Sequence, residues 1–289
     1  MKKIGFVGVG IMGKPMVRNL MKAGFEVLIY ARDRAKAEDV IAEGAVFCDT
    51  IAQAASLAEA VITIVGFPRD VEEVYFGADG ILENAKEGTY LIDMTTTTPS
   101  LDRRIYEEGK KRGLRVLDAP VTGGDVGAIK GTLSILAGGD REDFDACMPL
   151  FQAMGNNINY MGPSGSGQHA KMANQIVIAG SIAGICEAFA YAKKEGLDPE
   201  TLYQAISTGA ASSMQMSTNG LKILKGDDSP GFKLTHFVKD MTIALQEAKE
   251  AGLDLNILEN ALANYRSAEQ AGYGDAGTQA LIHHYDNLK

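Results

Sequence analysis

The glycine pattern near the N-terminus constrains the fold of this chain more than any other feature. Gly8, Gly10 and Gly13 have the spacing Gly-x-Gly-x-x-Gly within "FVGVGIMGKPMVRNL", residues 6–20. The apolar residues 4–9 predict a buried strand, and the residues after the glycines have apolar side chains at helical spacing. A turn of this kind between a strand and a helix predicts a dinucleotide site, because bare backbone and the helix N–H groups can accept a pyrophosphate.

The pattern of strands and helices changes once along the chain. From Lys2 to about Met161 short apolar runs alternate with amphipathic segments, which predicts a largely parallel sheet covered on both faces. From about Gly167 the strand signals vanish, and a continuous helical segment of about thirty residues begins. We therefore predict an α/β Rossmann-type N-terminal domain over 1–162, a long connecting helix, and an all-α C-terminal domain over 163–289 for substrate binding and oligomerisation.

The individual elements follow from the same patterns. Strands are predicted at 3–9, 26–31, 45–48, 60–66, 89–94, 115–119, 133–138 and 157–161. Helices between them are predicted at 12–23, 34–42, 50–57, 69–75, 99–112 and 141–154. After the long helix, further helices are predicted at 199–208, 212–224, 235–251, 254–271 and 278–285.

Composition and charge narrow the functional classes. The 289 residues carry a net charge of −9, which argues against a general binder of nucleic acids or membrane surfaces. The widely spaced Cys48, Cys147 and Cys186 fit neither a disulfide framework nor a zinc site and suit a reducing cytoplasm. The N-terminus lacks a signal-peptide pattern, and no apolar run reaches the ~18 residues of a membrane span. We expect a cytoplasmic protein with no metal, nucleic-acid or membrane partner.

The residues after the second predicted strand bear on the choice of nicotinamide cofactor. In a Rossmann unit this position lies near the adenosine ribose, where an acidic side chain binds the 2′-hydroxyl of NAD and an arginine accommodates the 2′-phosphate of NADP. Here "EVLIY" is followed by Ala31, Arg32 and Asp33. If Ala31 and Arg32 are at the tip, the guanidinium favours NADP, whereas an inward Asp33 favours NAD and a solvated loop favours neither. We predict NADP, with NAD the less favoured cofactor.

Two further loops follow predicted strands, so we expect them at the ligand-binding edge of the sheet. "DMTTTTP", 93–99, contains Thr96, and "DAPVTGG" places Thr122, Gly123 and Gly124 in a loop. The hydroxyl and backbone N–H groups of such a loop can bind a carboxylate. A tight turn with a local threonine hydrogen bond explains the same residues equally well.

A lysine occurs in the first turns of the long helix among mostly apolar neighbours. Lys171, Asn174 and Gln175 occupy positions i, i+3 and i+4 and therefore share one face. The ammonium must reach water or a partner, so it either extends to the surface, as most helix lysines do, or serves in a site. The spacing alone leaves both interpretations open.

These segments together resemble the β-hydroxyacid dehydrogenase family, which includes 3-hydroxyisobutyrate dehydrogenase, tartronate semialdehyde reductase (2-hydroxy-3-oxopropionate reductase) and, more distantly, 6-phosphogluconate dehydrogenase. The resemblance runs the length of the chain through "GFVGVGIMGKPM", "DAPVTGG", "GSGQHAKMANQ" and "FKLTHFVKD". Within the family, "KMANQ" and "GTLSILAGGD" are most similar to tartronate semialdehyde reductase, whose substrate loop more usually has serine at the position of Thr122.

The resemblance implies a role for each matching residue. It implies that Lys171 is the catalytic group, together with Asn174. It implies substrate binding by Thr122, Gly123, Gly124, Gln175, Phe232 and Asp240. It implies cofactor binding by Gly8, Val9, Gly10, Ile11, Met12, Gly13, Ala31, Arg32, Gly66, Phe67, Pro68, Thr96 and Lys239.

The resemblance further implies a reaction. Hydride passes between NADP(H) and the β-carbonyl of a small carboxylic acid, and a protonated Lys171 stabilises and protonates the carbonyl oxygen. The implied substrate is a small anionic semialdehyde or β-hydroxyacid, and we expect a homodimer or homotetramer. The alternatives are an NAD-dependent 3-hydroxyisobutyrate dehydrogenase and a non-catalytic nucleotide-binding protein. The second alternative predicts loss of the lysine or of the substrate loop, and the sequence retains both.

Overall fold

The computed structural model describes residues 1–286, which form two compact units. The first unit is Met1–Lys171, and the second begins at Met172. One long helix contains the boundary between them.

A single mixed sheet forms the centre of the first unit. Its strands are β1 (Lys3–Val7), β2 (Glu26–Tyr30), β3 (Val46–Phe47), β4 (Ala60–Thr63), β5 (Tyr90–Asp93), β6 (Arg115–Asp118), β7 (Val121–Thr122), β8 (Leu133–Gly139) and β9 (Gly155–Gly162). Their order is β3-β2-β1-β4-β5-β6-β8-β7, with β9 paired to β8. All pairings among β1–β6 and the β8–β9 pairing are parallel, whereas β8 runs antiparallel to both β6 and β7. The predicted, largely parallel sheet is therefore confirmed.

Both faces of this sheet are covered by helices. Successive side chains on a strand point to opposite faces. In β4, Val61 and Ile62 are both fully buried, and they belong to two separate apolar clusters. The same separation holds for Leu91 and Ile92 in β5. The near-continuous apolar strands of the sequence are thus explained by burial on two sides.

Helices connect the strands of the first unit. They are α1 (Gly13–Lys22), α2 (Glu38–Ala42), α3 (Ile51–Leu57), α4 (Pro68–Phe76), α5 (Ile81–Asn84), α6 (Pro99–Lys111), α7 (Gly124–Lys130) and α8 (Arg141–Met154). Residues Arg34–Ala37 form a 3-10 turn before α2. Local chemistry starts several of them: the Thr98 hydroxyl accepts from the backbone N–H of Leu101, and Pro99 occupies the first turn of α6.

The long helix α9, Ser166–Lys194, begins in the first unit and continues into the second. The second unit also contains α10 (Pro199–Ile206), α11 (Leu221–Leu224), α12 (Leu234–Glu250), α13 (Asn256–Ala268) and α14 (Ile282–Asp286). Its core forms around Phe237 and Tyr265, whose rings meet edge to face at 5.1 Å. The fold prediction, an α/β N-terminal domain, a long helix and a helical C-terminal domain, is confirmed.

Helix α9 is the one helix among residues 1–286 that is long and apolar enough to cross a membrane. Of its most apolar stretch, 44% is buried inside the protein. The core helix of a soluble protein passes the same test of length and composition. The sequence-based expectation of no membrane partner stays a prediction.

Several short elements were not predicted, and one prediction was wrong. Thr122 does not lie in a loop: it ends β7, which pairs Val121 with Ile135 of β8. The turn follows at Gly123 and Gly124, whose φ angles of +130° and +64° favour glycine, and α7 begins there at once. Helices α5 and α7 were missed because segments this short give too few residues for a periodic pattern.

Candidate active site

The glycine turn joins β1 to α1 and is built on close backbone approaches. Gly8 has a φ of +107°, and a Cβ there would lie 2.1 Å from the carbonyl oxygen of Ile64, which follows β4. A Cβ at Gly13 would lie 1.9 Å from the carbonyl oxygen of Gly8, so only glycine lets α1 pack this closely on β1. The first and third glycines are thus required by the fold itself.

The second glycine of the motif has a different environment. A Cβ at Gly10 would meet no atom within 4 Å, so this residue is not required by packing. Helix α1 begins after it with no acidic residue in its first turn and no side chain capping its N-terminus. Open space beside bare backbone, next to a helix N-terminus without a side-chain cap, fits the pyrophosphate of a dinucleotide. Gly8, Val9, Gly10, Ile11, Met12 and Gly13 would hold it.

The strand order places this turn at the position where ligands bind in such sheets. β1 pairs with β2 on one side and with β4 on the other, so the direction of the strand order reverses between β1 and β4. In open α/β sheets, ligands bind outside the carboxyl ends of the strands at such a point. The loops after β1, β4, β5 and β6 all leave this edge.

The charged residues in the segment after β2 make different contacts. The Asp33 carboxylate accepts a hydrogen bond from the backbone N–H of Ala35 at 3.1 Å and so caps the 3-10 turn that follows it. Arg34 lies over the ring of Phe47 at 4.7 Å. Arg32 is 77% exposed, and its guanidinium reaches the carboxylate of Asp70 at 3.4 Å. Of these residues, Arg32 is therefore the one whose side chain does not hold the turn together.

The loops after β4 and β5 are hydrogen-bonded to each other. The backbone N–H of Val65 donates to the Thr95 hydroxyl at 3.0 Å. Gly66, Phe67 and Pro68 follow and are half-buried, with α4 starting at Pro68. The predicted cofactor residue Thr96 is also half-buried in the loop after β5. These predicted cofactor residues therefore lie on two loops that support each other.

The start of α9 is held by an acid at the end of β6. The carboxylate of Asp118 accepts from the backbone N–H of Gly165 at 2.8 Å and from that of Gln168 at 3.0 Å. A Cβ at Gly167 would lie 2.3 Å from the carbonyl oxygen of Leu136, so the glycine lets the helix start against β8. Burial raises the pKa of Asp118 to about 6, although the N–H donors favour its ionised form. Asp118 thus caps a helix that is distant in sequence.

The predicted catalytic lysine lies on the second turn of α9. Lys171 is only 7% exposed, although it carries an ammonium group. It follows Gln168 by three residues, so the two side chains share one helix face. Gln168 is fully buried, and its amide nitrogen donates to the carbonyl oxygen of Thr95 at 2.7 Å. The surface-lysine interpretation is excluded by this burial.

In the second unit, two predicted substrate residues form a buried pair. The amide of Gln175 donates to the Asp240 carboxylate at 2.6 Å, and both residues are 1% exposed. Gln175 also accepts from the side-chain amide of Asn174 at 2.7 Å, and Lys239 lies 2.8 Å from the Asp240 carboxylate. Gln175 and Asp240 therefore orient their neighbours Asn174 and Lys239. Phe232 is 37% exposed and packs edge-on to Phe237 at 5.8 Å.

Sequence reasoning did not single out the buried polar residues that support the site. Asp93 ends β5 and Asp118 ends β6, and each is an acid after a run of apolar strand residues. That contrast is a usable signal, because a charged group is costly at the end of a buried strand unless it is bonded there. Asp102 gives no such signal, since acids are common in the first turn of a helix. Among residues 1–286 no cluster of three metal-ligating side chains occurs.

Comparison with known proteins identifies the family. Residues 3–162 match the family model of the NAD-binding domain of 6-phosphogluconate dehydrogenase, and residues 165–285 match a model described as NAD-binding of NADP-dependent 3-hydroxyisobutyrate dehydrogenase. A probable 3-hydroxyisobutyrate dehydrogenase-like protein of Arabidopsis thaliana is 45% identical over 97% of this chain and 84% of its own length. The 2-hydroxy-3-oxopropionate reductase of Escherichia coli is 38% identical over 88% of this chain and 86% of its own.

A solved structure agrees with these sequence matches. The 3-hydroxyisobutyrate dehydrogenase of Salmonella typhimurium superposes with a TM-score of 0.91 at 27% identity, covering 98% of this chain and 99% of that one. The two family models together span nearly all of the chain, and they include both the glycine turn and the helix that carries Lys171. The chain therefore belongs to the β-hydroxyacid dehydrogenase family and is an NAD(P)-dependent oxidoreductase acting on hydroxyl groups.

Proposed function

We propose that this protein is an NADP(H)-dependent reductase of small semialdehydes that carry a carboxylate, of the tartronate semialdehyde reductase kind. The observation that carries the proposal is the burial of Lys171 on a helix whose first turn is bonded to the ends of β5 and β6. A buried ammonium is costly unless it is paired or hydrogen-bonded, so a buried lysine at this place indicates polar surroundings such as those of an active site. The nicotinamide-binding edge of the sheet is where those two strands end.

The proposed chemistry requires one hydride and one proton. A bound NADPH supplies the hydride to the carbonyl carbon of the substrate. Lys171 stabilises the negative charge that develops on the carbonyl oxygen and gives that oxygen its proton, which completes the hydroxyl group. Reduction therefore requires the protonated form of Lys171.

The proposed preference for NADP rests on Arg32. Its guanidinium is largely exposed after β2, the strand whose end lies near the adenosine ribose in a Rossmann unit, whereas Asp33 caps a turn. An arginine matches a phosphate with two parallel hydrogen bonds. The description of the family model over residues 165–285 as NADP-dependent supports the same preference. We further propose, from the resemblance to the family, that Lys239 contributes to cofactor binding.

The proposed substrate class rests on groups that can bind a carboxylate. In the first unit, Thr122, Gly123 and Gly124 offer a hydroxyl and backbone N–H groups. In the second unit, Asn174 offers an amide that is bonded to Gln175. The similarity to the Escherichia coli 2-hydroxy-3-oxopropionate reductase supports a hydroxylated C3 semialdehyde. We further propose a cytoplasmic homodimer or homotetramer without nucleic-acid or membrane partners.

A substrate panel tests the proposal. Tartronate semialdehyde, methylmalonate semialdehyde, succinic semialdehyde and glyoxylate are assayed with NADPH and with NADH. We expect the highest kcat/KM for tartronate semialdehyde with NADPH. A preference for methylmalonate semialdehyde with NADH would instead favour the second candidate, an NAD-dependent 3-hydroxyisobutyrate dehydrogenase, which the name of the Arabidopsis relative supports.

The role of Lys171 has its own test. Lys171→Met keeps the length of the side chain and removes the ammonium, and we expect kcat to fall by about 10²- to 10⁴-fold, the usual contribution of a general acid. Lys194→Met, at the exposed end of the same helix, is the matched control and is expected to retain its activity. A Lys171→Met protein that folds, binds NADPH and reduces the substrate at the wild-type rate would overturn the proposal.

A further inference from the structure

A cluster of fully buried polar groups lies within the first unit at the ends of β4 and β5. Asp93 ends β5, Asp102 lies in the first turn of α6, and Gln168 lies in the first turn of α9, and none is more than 2% exposed. Two of the three are acids, and buried acids are costly unless they are bonded or neutral. The hydrogen bonds within the cluster show which atoms are satisfied.

Gln168 uses its whole amide to join three segments. Its amide nitrogen donates to the Asp102 carboxyl and to the carbonyl oxygen of Thr95, both at 2.7 Å. Its amide oxygen accepts from the backbone N–H of Thr97 at 3.1 Å. The loop around Thr96 is thereby fixed on both sides to the start of the helix that carries Lys171.

Asp93 has one satisfied and one unsatisfied oxygen. Its Oδ1 accepts from the Thr63 hydroxyl at 2.7 Å and from the backbone N–H of Thr95 at 3.0 Å. Its Oδ2 is buried without a donor among these groups. The carboxyl group of Asp102 lies within hydrogen-bonding reach of Asp93. A hydrogen bond between two carboxyl groups requires that one of them carries a proton.

We propose that Asp102 is a neutral carboxylic acid that donates its proton to Oδ2 of Asp93 and accepts from Gln168, and that it is a positioning residue for the active site. Because Oδ2 of Asp102 receives the Gln168 amide, the proton belongs on Oδ1 of Asp102. Asp93 is then the ionised partner and has every oxygen bonded. The positioning role rests on the function proposed above, whereas the neutral state of Asp102 does not.

The surroundings favour the neutral form of Asp102. Burial raises its pKa well above the ordinary value, and the negative charges of Asp93 and Asp118 raise it further. Of the other titratable groups, Tyr75 of α4 lies beside the pair, with its hydroxyl 3.0 Å from that of Thr63, and His169 and Lys171 follow Gln168 along α9. Burial also raises the pKa of Tyr75, so its hydroxyl is neutral as well.

The neutral state makes stability depend on pH in a defined direction. An aspartate in the unfolded chain loses its proton above a pKa of ~3.9. In the folded protein Asp102 keeps its proton above that pH, so folding is accompanied by the uptake of one proton. The free energy of unfolding therefore falls as the pH rises, until the pH passes the pKa of Asp102 in the folded state. Asp102→Asn removes this proton but keeps one donor for Asp93 and one acceptor for Gln168.

Equilibrium unfolding from pH 5 to pH 8 tests the protonation state. We expect the folding equilibrium constant of the wild type, divided by that of Asp102→Asn, to fall by up to tenfold for each pH unit. Asp118 is present in both proteins, so its titration largely cancels in the ratio. We also expect the infrared band of a protonated carboxyl group to be present in the wild type and lost in Asp102→Asn. A ratio independent of pH, or no such band, would overturn the proposal.

Kinetics test the positioning role separately. We expect Asp102→Asn to keep kcat within about threefold and Asp102→Leu, which cannot bond Gln168, to lose at least tenfold in kcat. Asp143→Leu is the matched control, because Asp143 is equally buried in the first turn of α8 but is bonded to Arg115. If Asp102→Leu does not fold, a large loss of kcat in folded Asp102→Asn still overturns the role. A wild type without reductase activity would contradict the proposed function and leave the unfolding and infrared results valid.

Discussion

At the scale of single residues, the three consecutive charged side chains after β2 make different contacts. Asp33 is bound to the backbone of the turn it caps, and Arg34 packs over Phe47. Arg32 reaches only the carboxylate of Asp70 at 3.4 Å and is otherwise exposed. Because the guanidinium of Arg32 makes few contacts, few would be broken if it turned towards a phosphate. The sequence left open whether Arg32 or Asp33 faces the cofactor. The hydrogen bond by which Asp33 caps the turn favours Arg32.

This difference predicts the effect of removing Arg32. We expect Arg32→Gln to raise the KM for NADPH by about tenfold, near the lower end for a hydrogen bond to a charged group because the site is exposed, and to change the KM for NADH much less. Steady-state kinetics with both cofactors measure the effect. Arg34→Gln, two residues further along the chain, is the control and is expected to leave the ratio of the two KM values unchanged. Equal changes with NADPH and NADH would contradict the assignment.

At the scale of elements, the junction of β1 and α1 separates the needs of packing from those of binding. Gly13 is in contact with the carbonyl of Gly8, whereas Gly10 faces open space. The motif therefore contains two glycines that the fold requires, Gly8 and Gly13, and one that it does not require, Gly10. The sequence motif alone does not distinguish them, because all three residues are glycine.

Two alanine substitutions test this separation. We expect Gly13→Ala to lower the free energy of unfolding by about 1–3 kcal/mol or more, because the new Cβ forces α1 away from β1. We expect Gly10→Ala to leave the unfolding free energy within about 0.5 kcal/mol of the wild type while weakening NADPH binding, because its methyl group fills space meant for the pyrophosphate. Denaturant unfolding and cofactor titration measure the two effects. The reverse pattern would contradict the assignment of Gly13 to packing and of Gly10 to cofactor binding.

The longer elements of the chain were predicted well, and the shorter ones were not. The predicted helix over 141–154 and the predicted long helix that begins after about Gly167 correspond to α8 and α9, because many periodic residues define each. A π-type turn, Met216–Gly220, interrupts the predicted helix over 212–224, and another, Glu269–Tyr273, replaces the end of the predicted helix over 254–271. Such single turns depend on neighbouring packing, which local periodicity does not record.

At the scale of the whole molecule, one exposed apolar surface bears on assembly. Val177, Gly184 and Tyr191 follow each other at seven-residue spacing on α9, and all three are exposed. Ile257 of α13 is 74% exposed and lies beside Gly180 of α9. Exposed apolar side chains along one helix face, such as Val177 and Tyr191, are typical of a subunit contact.

We therefore expect the chain to form a homodimer or homotetramer through this surface. Val177→Asp introduces a charge that must be desolvated at a subunit contact, and we expect it to shift the protein towards monomer. Sedimentation velocity measures the change. Val126→Asp, at an exposed valine on α7 of the first unit, is the control and is expected to keep the wild-type oligomer. A wild-type protein that sediments as a monomer would contradict the prediction directly.

The sequence by itself determined the α/β unit, the glycine turn, the long helix and the family, because each depends on residues close together in the chain or on ordered motifs. Only the tertiary structure decided which polar residues meet. Asp102 is bonded to Gln168, 66 residues further along the chain, and Asp118 caps a helix 47 residues away. Local patterns carry no information about such pairings, since they arise only when strands and helices pack and bury these groups together.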